Sequence, residues 1–319
     1  MHELIGSVAT LLDGGPGLWL APGEGAAPEG CAVVATSGST GDAKLVVLHR
    51  DALAAAARAA TERLGFTATW HLTLAPQYVA GLMVLVRGHL GDGVRTASSD
   101  LTDLEPAPGR NCVSIVATQL YRALEAPSTT ATLARFDAVL VGGAALRPEL
   151  RTRAEGAGIR VIETYGMSET CGGVVWDGVP LPGVQVTLGE HGRVQLDGPT
   201  GHIVTNDRAH WEGERLVIDG RIDDVVISGG VNVDLAEVRR AVLAVEQEAE
   251  VLAVEDPEWG ARVVLFAPGG TLQEWRDRLR EVLPAAALPR QLVTVARLPR
   301  LFEMGELTLS AKNGINTEP

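Results

Sequence analysis

"CAVVATSGSTGDAK", residues 31–44, runs five apolar residues into a loop of small hydroxyl residues and glycines that ends on a lysine. The apolar run reads as a buried strand and the loop as an anion cradle. Gly38 and Gly41 let main-chain N–H groups approach an anion closely, Thr36, Ser37, Ser39 and Thr40 add hydroxyl donors, and Lys44 supplies charge. A phosphate is the group such donors fit. The stretch is not a Walker loop, because Ala43 rather than glycine precedes Lys44 and Leu45 stands where Ser or Thr would meet magnesium. The competing reading is a flexible Gly/Ser/Thr connection between a strand and a helix.

A length of 319 residues allows about two domains, each able to bury a core. With 27 basic against 40 acidic residues the net charge is −13, the wrong sign for a nucleic-acid surface or an anionic membrane. Any anionic substrate must be met by local cations. Cys31, Cys112 and Cys171 are far apart and form no C-x-x-C pair, which argues against a disulfide framework and a structural zinc site and fits a reducing compartment. The opening "MHELIGSVATLLDGG" has no basic leader region, and no apolar run approaches the length of a membrane span. The expectation is a soluble, cytoplasmic protein with no nucleic-acid or membrane partner.

Outward from the loop, short apolar runs alternate with alanine-rich helical stretches, the pattern of layered α/β proteins. Asp51 is expected to cap the helix "DALAAAARAATERLG", which stops at Gly65. "FDAVLVGGAAL" and "RVIETYG" read as strands entering loops. After "WEGERLVIDGR" the pattern changes. Asp234 and Glu237 open a helix with Leu235, Val238, Val242 and Val245 on one face, the strand "EVLAVED" follows, and a second helix carries Trp275, Leu279 and Val282. We expect domains at 1–220 and 221–319.

Four stretches then fall in order: "TSGSTGDAK" (36–44), "TYGMSET" (164–170), "TND" (205–207) and "GRIDDVVISGGVNV" (220–233). This succession resembles the adenylate-forming superfamily of acyl-CoA synthetases, nonribosomal-peptide adenylation domains and luciferases, over roughly residues 30 to 270. Within it, "LAPQYVAGLMVLVR", "SIVATQLYRAL", "LVGGAAL" and "YGMSETCGGVVWDGVPLPGV" resemble the o-succinylbenzoate–CoA ligases of menaquinone biosynthesis in their compact form. The resemblance implies a large N-terminal domain of layered α/β subdomains and a small α+β C-terminal domain that rotates about a hinge. It implies ATP and Mg²⁺ as cofactors, coenzyme A as co-substrate and a small aryl carboxylate as the acid. A homodimer stays open.

The site residues follow from the same resemblance. The loop with Thr36, Ser37, Gly38, Ser39, Thr40, Gly41 and Lys44 would hold the β- and γ-phosphates. Thr164, Tyr165, Gly166, Met167 and Ser168, with Gly143, would lie beside the adenine and α-phosphate; Glu169 would reach Mg²⁺ and Thr170 the α-phosphate. Asp207 would accept from both ribose hydroxyls, a bidentate task that suits a carboxylate. Arg221 would bind ribose or phosphate and Asp223 would mark the hinge. Tyr78 and Gly81 would line the acyl pocket, Gly142 would let the ring slide along the backbone, and Arg87 or Arg122 would meet the substrate's second carboxylate. Gly229 and Gly230, in "SGGVNV", would line the CoA channel.

The tail "LPRLFEMGELTLSAKNGINTEP" departs from the superfamily, whose members place a catalytic lysine there, commonly after glycine. Three registers put Lys312, Glu306 or Thr308 at that position, and Lys312 is favoured because only a cation offsets the charge that gathers when two anions meet. Two other functions compete with CoA ligation. One is an aryl-acid adenylating enzyme that loads a carrier protein, and the other is a nucleotide-binding relic without turnover.

Overall fold

The computed structural model describes residues 2–36, 44–246 and 248–295. Its centre is a seven-stranded sheet in which five strands run parallel, in the order Val94–Thr96, Thr69–Leu72, Asn111–Val116, Ala138–Gly142, Val161–Met167. Gly172–Trp176 and Val179–Pro180 extend it antiparallel beyond Val161–Met167. The central parallel strands Asn111–Val116 and Ala138–Gly142 bury apolar residues on both sides. Ala138, Leu140 and Cys112 enter one buried cluster, while Val113, Ile115, Val139 and Val141 enter the other. Such strands need helices over both faces.

Those helices follow from the alanine and leucine patterns. Arg50–Leu64 buries Ala52, Leu53, Ala56, Ala57, Ala59 and Ala60 and ends at Gly65, whose φ of 76° is the left-handed conformation glycine adopts without strain. Its N-cap is His49 rather than the expected Asp51: the His49 Nδ1 accepts from the Asp51 N–H at 3.3 Å, so Asp51 sits in the first turn. Val79–His89 is buried on nearly every face, from Leu82 through Gly88, and lies against the sheet beneath the two helices His2–Leu12 and Arg50–Leu64. Ala117–Glu125, Pro127–Leu133 and Pro148–Gly156 cover the opposite side.

Two smaller sheets flank this layer. The predicted strand Cys31–Ala35 pairs antiparallel with Leu45–His49 and parallel with Leu18–Trp19. Four antiparallel strands, Gln185–Leu188, Arg193–Gly198, Gly201–Glu212 and Arg215–Arg221, form a meander. Beyond it Val225–Ser228 pairs with Val231–Asp234, Gly260–Ala267 pairs with Glu250–Asp256, and Gln291–Thr294 runs parallel to Gly260–Ala267. The apolar clusters of this last sheet use residues from 226 onward, whereas every other cluster stops by residue 216.

Leu235–Val245 forms as its pattern predicts, with Leu235, Val238 and Val242 buried and the Asp234 carboxylate accepting from the Ala236 N–H at 2.9 Å. The next helix, Leu272–Leu279, buries Trp275 and Leu279 and ends before Val282, which is 63% exposed and not part of the apolar face.

Gly81 gives a test whose sign discriminates. In a helix, alanine is ordinarily preferred over glycine by about 1 kcal/mol. A Cβ at Gly81 would fall 2.4 Å from the Ala75 carbonyl oxygen, which is backbone and cannot swing away. Gly81→Ala should therefore lower the melting temperature in a thermal scan; a rise would show that the helix does not pack this closely on residues 75–76.

Candidate active site

The five parallel strands follow a 2-1-3-4-5 order, so neighbouring strands connect in opposite directions between Thr69–Leu72 and Asn111–Val116. Ligands of open α/β sheets lie at the carboxyl ends of the strands near such a switch. One group of the expected residues lies along that edge. Gly142 ends one strand, Thr164 to Met167 end the next, and the 3₁₀ turn Ser168–Thr170 follows.

The loop stem is a hairpin across which Ala35 faces Leu45, closed by the Thr36 N–H donating to the Lys44 carbonyl at 2.8 Å. From there the Lys44 Nζ lies 3.4 Å from Glu169 Oε1, with side chains 72% and 34% exposed. The pair joins positions 125 apart in the chain. A pair this exposed adds little stability, so its interest is positional. Ser37, Gly38, Ser39, Thr40 and Gly41 lie outside the described residues, as do Lys312, Glu306 and Thr308.

A second cluster forms around Tyr165. Its hydroxyl donates to Asp207 Oδ2 at 2.7 Å, and burial followed by the Asp207 charge pushes the phenol above its ordinary pKa, so it remains a donor. Asp207 faces Arg221 across the meander, with Oδ1 and the Arg221 Nη1 3.6 Å apart. Arg221 is held more tightly by Asp223, at 2.8 and 2.7 Å, and these bonds hold the Asp223 carboxyl below its usual range. Register shifts occur beside both members of the central pair, between Tyr165 and Gly166 and between Arg208 and Ala209. Irregularities of this kind re-aim side chains.

Several expected residues are placed differently. The Thr170 side chain is buried, its oxygen accepting from the Met167 N–H at 2.9 Å and its hydroxyl donating to the Gly172 carbonyl at 2.7 Å. It fastens the turn from inside instead of facing outward to a phosphate. Gly81 packs on its own preceding loop, and a Cβ at Gly142 would fall 2.6 Å from Thr164 Oγ1, so close packing accounts for both glycines without a ligand. Gly143 needs glycine for its φ of 85°. Tyr78 packs with Trp19 and Ala27 against Ala21, Val33 and Ala35, and the neighbouring Gln77 carbonyl accepts from the Ala35 N–H at 3.1 Å, which ties this segment to the loop stem. Gly229 and Gly230 form the turn of the hairpin 225–234, with Gly229 facing the Trp259 ring.

Arg122 is exposed on its helix. Arg87 is 5% exposed, its guanidinium carbon 5.0 Å from the Trp70 ring centre and 5.8 Å from that of Trp176. Its Nε has no hydrogen-bond partner among the described residues, and burial lowers its pKa to about 10. One contact went unseen in the sequence: Arg208, next to Asp207, pairs with Asp234, joining the meander to the first helix of the last unit. Asp234 carried a signal only as a helix cap.

A doubly wound sheet with Lys44, an acidic turn and a Tyr–Asp–Arg cluster grouped near its carboxyl edge is suited to receive an anionic ligand. Residues 20–218 match the family described as AMP-binding enzyme. A probable 2-succinylbenzoate–CoA ligase of Mycobacterium tuberculosis is 37% identical over 84% of this chain and 80% of its own length. The Escherichia coli 2-succinylbenzoate–CoA ligase is 32% identical over 78% of this chain and 62% of its own length. A solved structure of an E. coli MenE variant with bound OSB-AMS covers 90% of this chain and 71% of its own at a TM-score of 0.72 and 25% identity. The chain belongs to the AMP-binding enzymes.

Burial separates the cysteines. Cys112 and Cys171 are 0% and 1% exposed, and burial pushes both thiols up to about 12, whereas Cys31 is partly exposed. Since the thiolate is the reactive form, iodoacetamide under mildly alkaline native conditions should label Cys31 alone, read by peptide mass spectrometry. Labelling of Cys171 would show that the turn after Thr170 opens.

Proposed function

We propose that the chain is an AMP-forming acid–thiol ligase that converts 2-succinylbenzoate, ATP and CoA into 2-succinylbenzoyl-CoA, AMP and pyrophosphate, a step of menaquinone biosynthesis in the cytoplasm. The observation that carries it is the 37% identity to the M. tuberculosis protein, which extends over most of both chains. The three unpaired cysteines fit the compartment, and among the described residues no helix is long and apolar enough to cross a membrane.

In the first step a carboxylate oxygen of the acid attacks the α-phosphorus of ATP and pyrophosphate leaves. In the second the CoA thiol attacks the acyl carbon, gives up its proton, and AMP leaves. Anions crowd together in the first step, and the enzyme must hold them in line and offset their charge. Asp207 takes the ribose hydroxyls and the Tyr165 ring lies beside the base. Lys44 meets the outer phosphates together with the loop it closes. Glu169 fits a magnesium ion: one oxygen is near Lys44, no described residue bonds the other, and the side chain is partly open. Mg²⁺ is commonly bound by one or two carboxylates completed by phosphate oxygens and water, and when bound it would neutralise phosphate charge. Because the Thr170 hydroxyl is turned inward, the turn would offer the α-phosphate its backbone. Residues 221–319 would act as the small domain, rotating about Asp223 between the steps, with Gly229 and Gly230 beside the CoA arm and Lys312 as the adenylation lysine.

Arg87 suits the second carboxylate better than Arg122. A buried guanidinium with no acidic partner among the described residues is costly unless an anion arrives, whereas Arg122 is already solvated. Arg87→Met should raise KM for 2-succinylbenzoate at least about tenfold, the scale of one lost charge-assisted pair, and leave ATP affinity unchanged. An unchanged KM would return the role to Arg122.

The substrate itself is tested by mass spectrometry after incubation with the acid, ATP, Mg²⁺ and CoA. The thioester is expected; use of benzoate or fatty acids in its place would overturn the substrate, and transfer to a carrier protein but not to CoA would overturn the acceptor. Lys312→Ala should abolish the full reaction while thioester formation from pre-made acyl-adenylate survives. Equal activity of the variant in both assays would show Lys312 to be idle.

A further inference from the structure

The Asp207 carboxylate is held unevenly. Of its near partners among the described residues, Arg221 stands 3.6 Å from Oδ1 and is itself half exposed and clamped by Asp223. The Tyr165 hydroxyl, 2.7 Å from Oδ2, is the single short hydrogen bond to the carboxylate among those residues. The Asp207 N–H is anchored separately, to Thr205 Oγ1 at 2.9 Å, and Thr205 Oγ1 in turn donates to the Val194 carbonyl at 3.0 Å. The backbone of Asp207 is therefore fixed, but the rotation of its carboxylate depends on Tyr165. The side chain is 14% exposed, so water is a poor substitute for that donor.

Two register shifts stand beside this contact, one on each strand that contributes to it. The return strand Gly172–Trp176 carries an extra residue opposite Tyr165 and Gly166, and Arg215–Arg221 carries one opposite Arg208 and Ala209. They join two sheets that share no strand, the central sheet and the meander. The only covalent path between Tyr165 and Asp207 is 42 residues long, so chain connectivity alone does not set their distance.

We propose that the Tyr165 hydroxyl is a positioning group. It holds Oδ2 of Asp207 so that the carboxylate presents its remaining lone pairs as a pair to a vicinal diol, and so sets the preference for ribonucleotides over deoxyribonucleotides. This inference rests on the proposed ATP site. It separates two tasks of one side chain: the ring lies beside the base, while the hydroxyl acts through Asp207 and touches no substrate atom. A carboxylate free to turn would still accept one hydroxyl at a time. It would lose the simultaneous acceptance of two.

The test compares dissociation constants of ATP and 3′-deoxyATP by titration calorimetry in wild type and Tyr165→Phe, with no acid or CoA present. Wild type should bind ATP about ten- to a hundredfold more tightly than 3′-deoxyATP, the range of one hydrogen bond to a charged group. In Tyr165→Phe, which keeps the ring, ATP should weaken while 3′-deoxyATP changes little, so the ratio should fall to about threefold or less. A partly unfolded sample lowers the stoichiometry and not the ratio. An unchanged ratio in Tyr165→Phe, with the wild-type preference intact, would overturn the positioning role. Equal weakening of both nucleotides would also overturn it and assign the hydroxyl to base recognition. If wild type shows no preference for the ribonucleotide, or binds no ATP, the ribose site itself fails and the inference with it.

Discussion

The backbone of Gly166 passes so close to Gly172 that a Cβ there would fall 2.0 Å from the Gly172 carbonyl oxygen. That approach lets the chain leave the central sheet at Met167, turn through Ser168–Thr170 and return at once as Gly172–Trp176. Thr170 secures the turn from beneath, bonding both Met167 and Gly172. The rest of the site hangs on this hairpin. Glu169, at its tip, reaches Lys44, and Tyr165, on its rising strand, reaches Asp207. One short turn thus orients one end of the site toward Lys44 and the other toward the meander. A side chain at Gly166 would separate all three parts.

The two ends are built with different electrostatics, and each suits its place. Lys44 and Glu169 meet in the open, where water screens them and the pair rearranges at little cost. That freedom suits the proposed function, in which the two groups would exchange each other for a polyanion. Tyr165 and Asp207 meet where the solvent is thin, and there a hydrogen bond to a charged group is stronger and its loss more expensive. That end has a fixed shape to recognise. Arg87 is the extreme case, a cation buried between two tryptophans with no acidic partner among the described residues. The protein carries a net charge of −13, so an anionic ligand depends on cations placed locally.

Much of this was legible in the chain because the local signals were backbone signals. The apolar run 31–35, the glycine end at Gly65 and the face of Leu235, Val238 and Val242 report directly on strand, cap and helix, and each stands where the pattern puts it. What stayed hidden were choices between neighbours with similar chemistry. His49 and Asp51 both offer a side-chain acceptor to a helix start, and His49 takes the place because it is the extended last residue of the strand Leu45–His49, directly before the helix. Val282 fits the helical spacing, but the helix stops before it. Thr170 and Gly81 sit within motifs rich in ligand contacts, yet spacing does not tell whether a hydroxyl or a missing Cβ faces outward or inward. Arg87 and Arg122 are equal in sequence and opposite in burial.

The same reasoning explains how the last unit is joined to the first. Asp234 uses one carboxylate oxygen to cap the helix Leu235–Val245 and the other to bind Arg208, whose neighbour in the chain is Asp207. Among the described residues the other polar link from the body to that helix is weak, the Arg147 guanidinium donating to the Leu243 carbonyl at 3.4 Å. An ion pair with both side chains partly exposed is worth about 1 kcal/mol, enough to favour one arrangement and too little to lock it. The rotation proposed for the small unit would need joints of this strength. A bond to the cap, and not to a core side chain, also means that parting from Arg208 leaves Asp234 satisfied by the helix N-terminus. The carboxylate therefore would not become an unpaired charge if that rotation parted the pair.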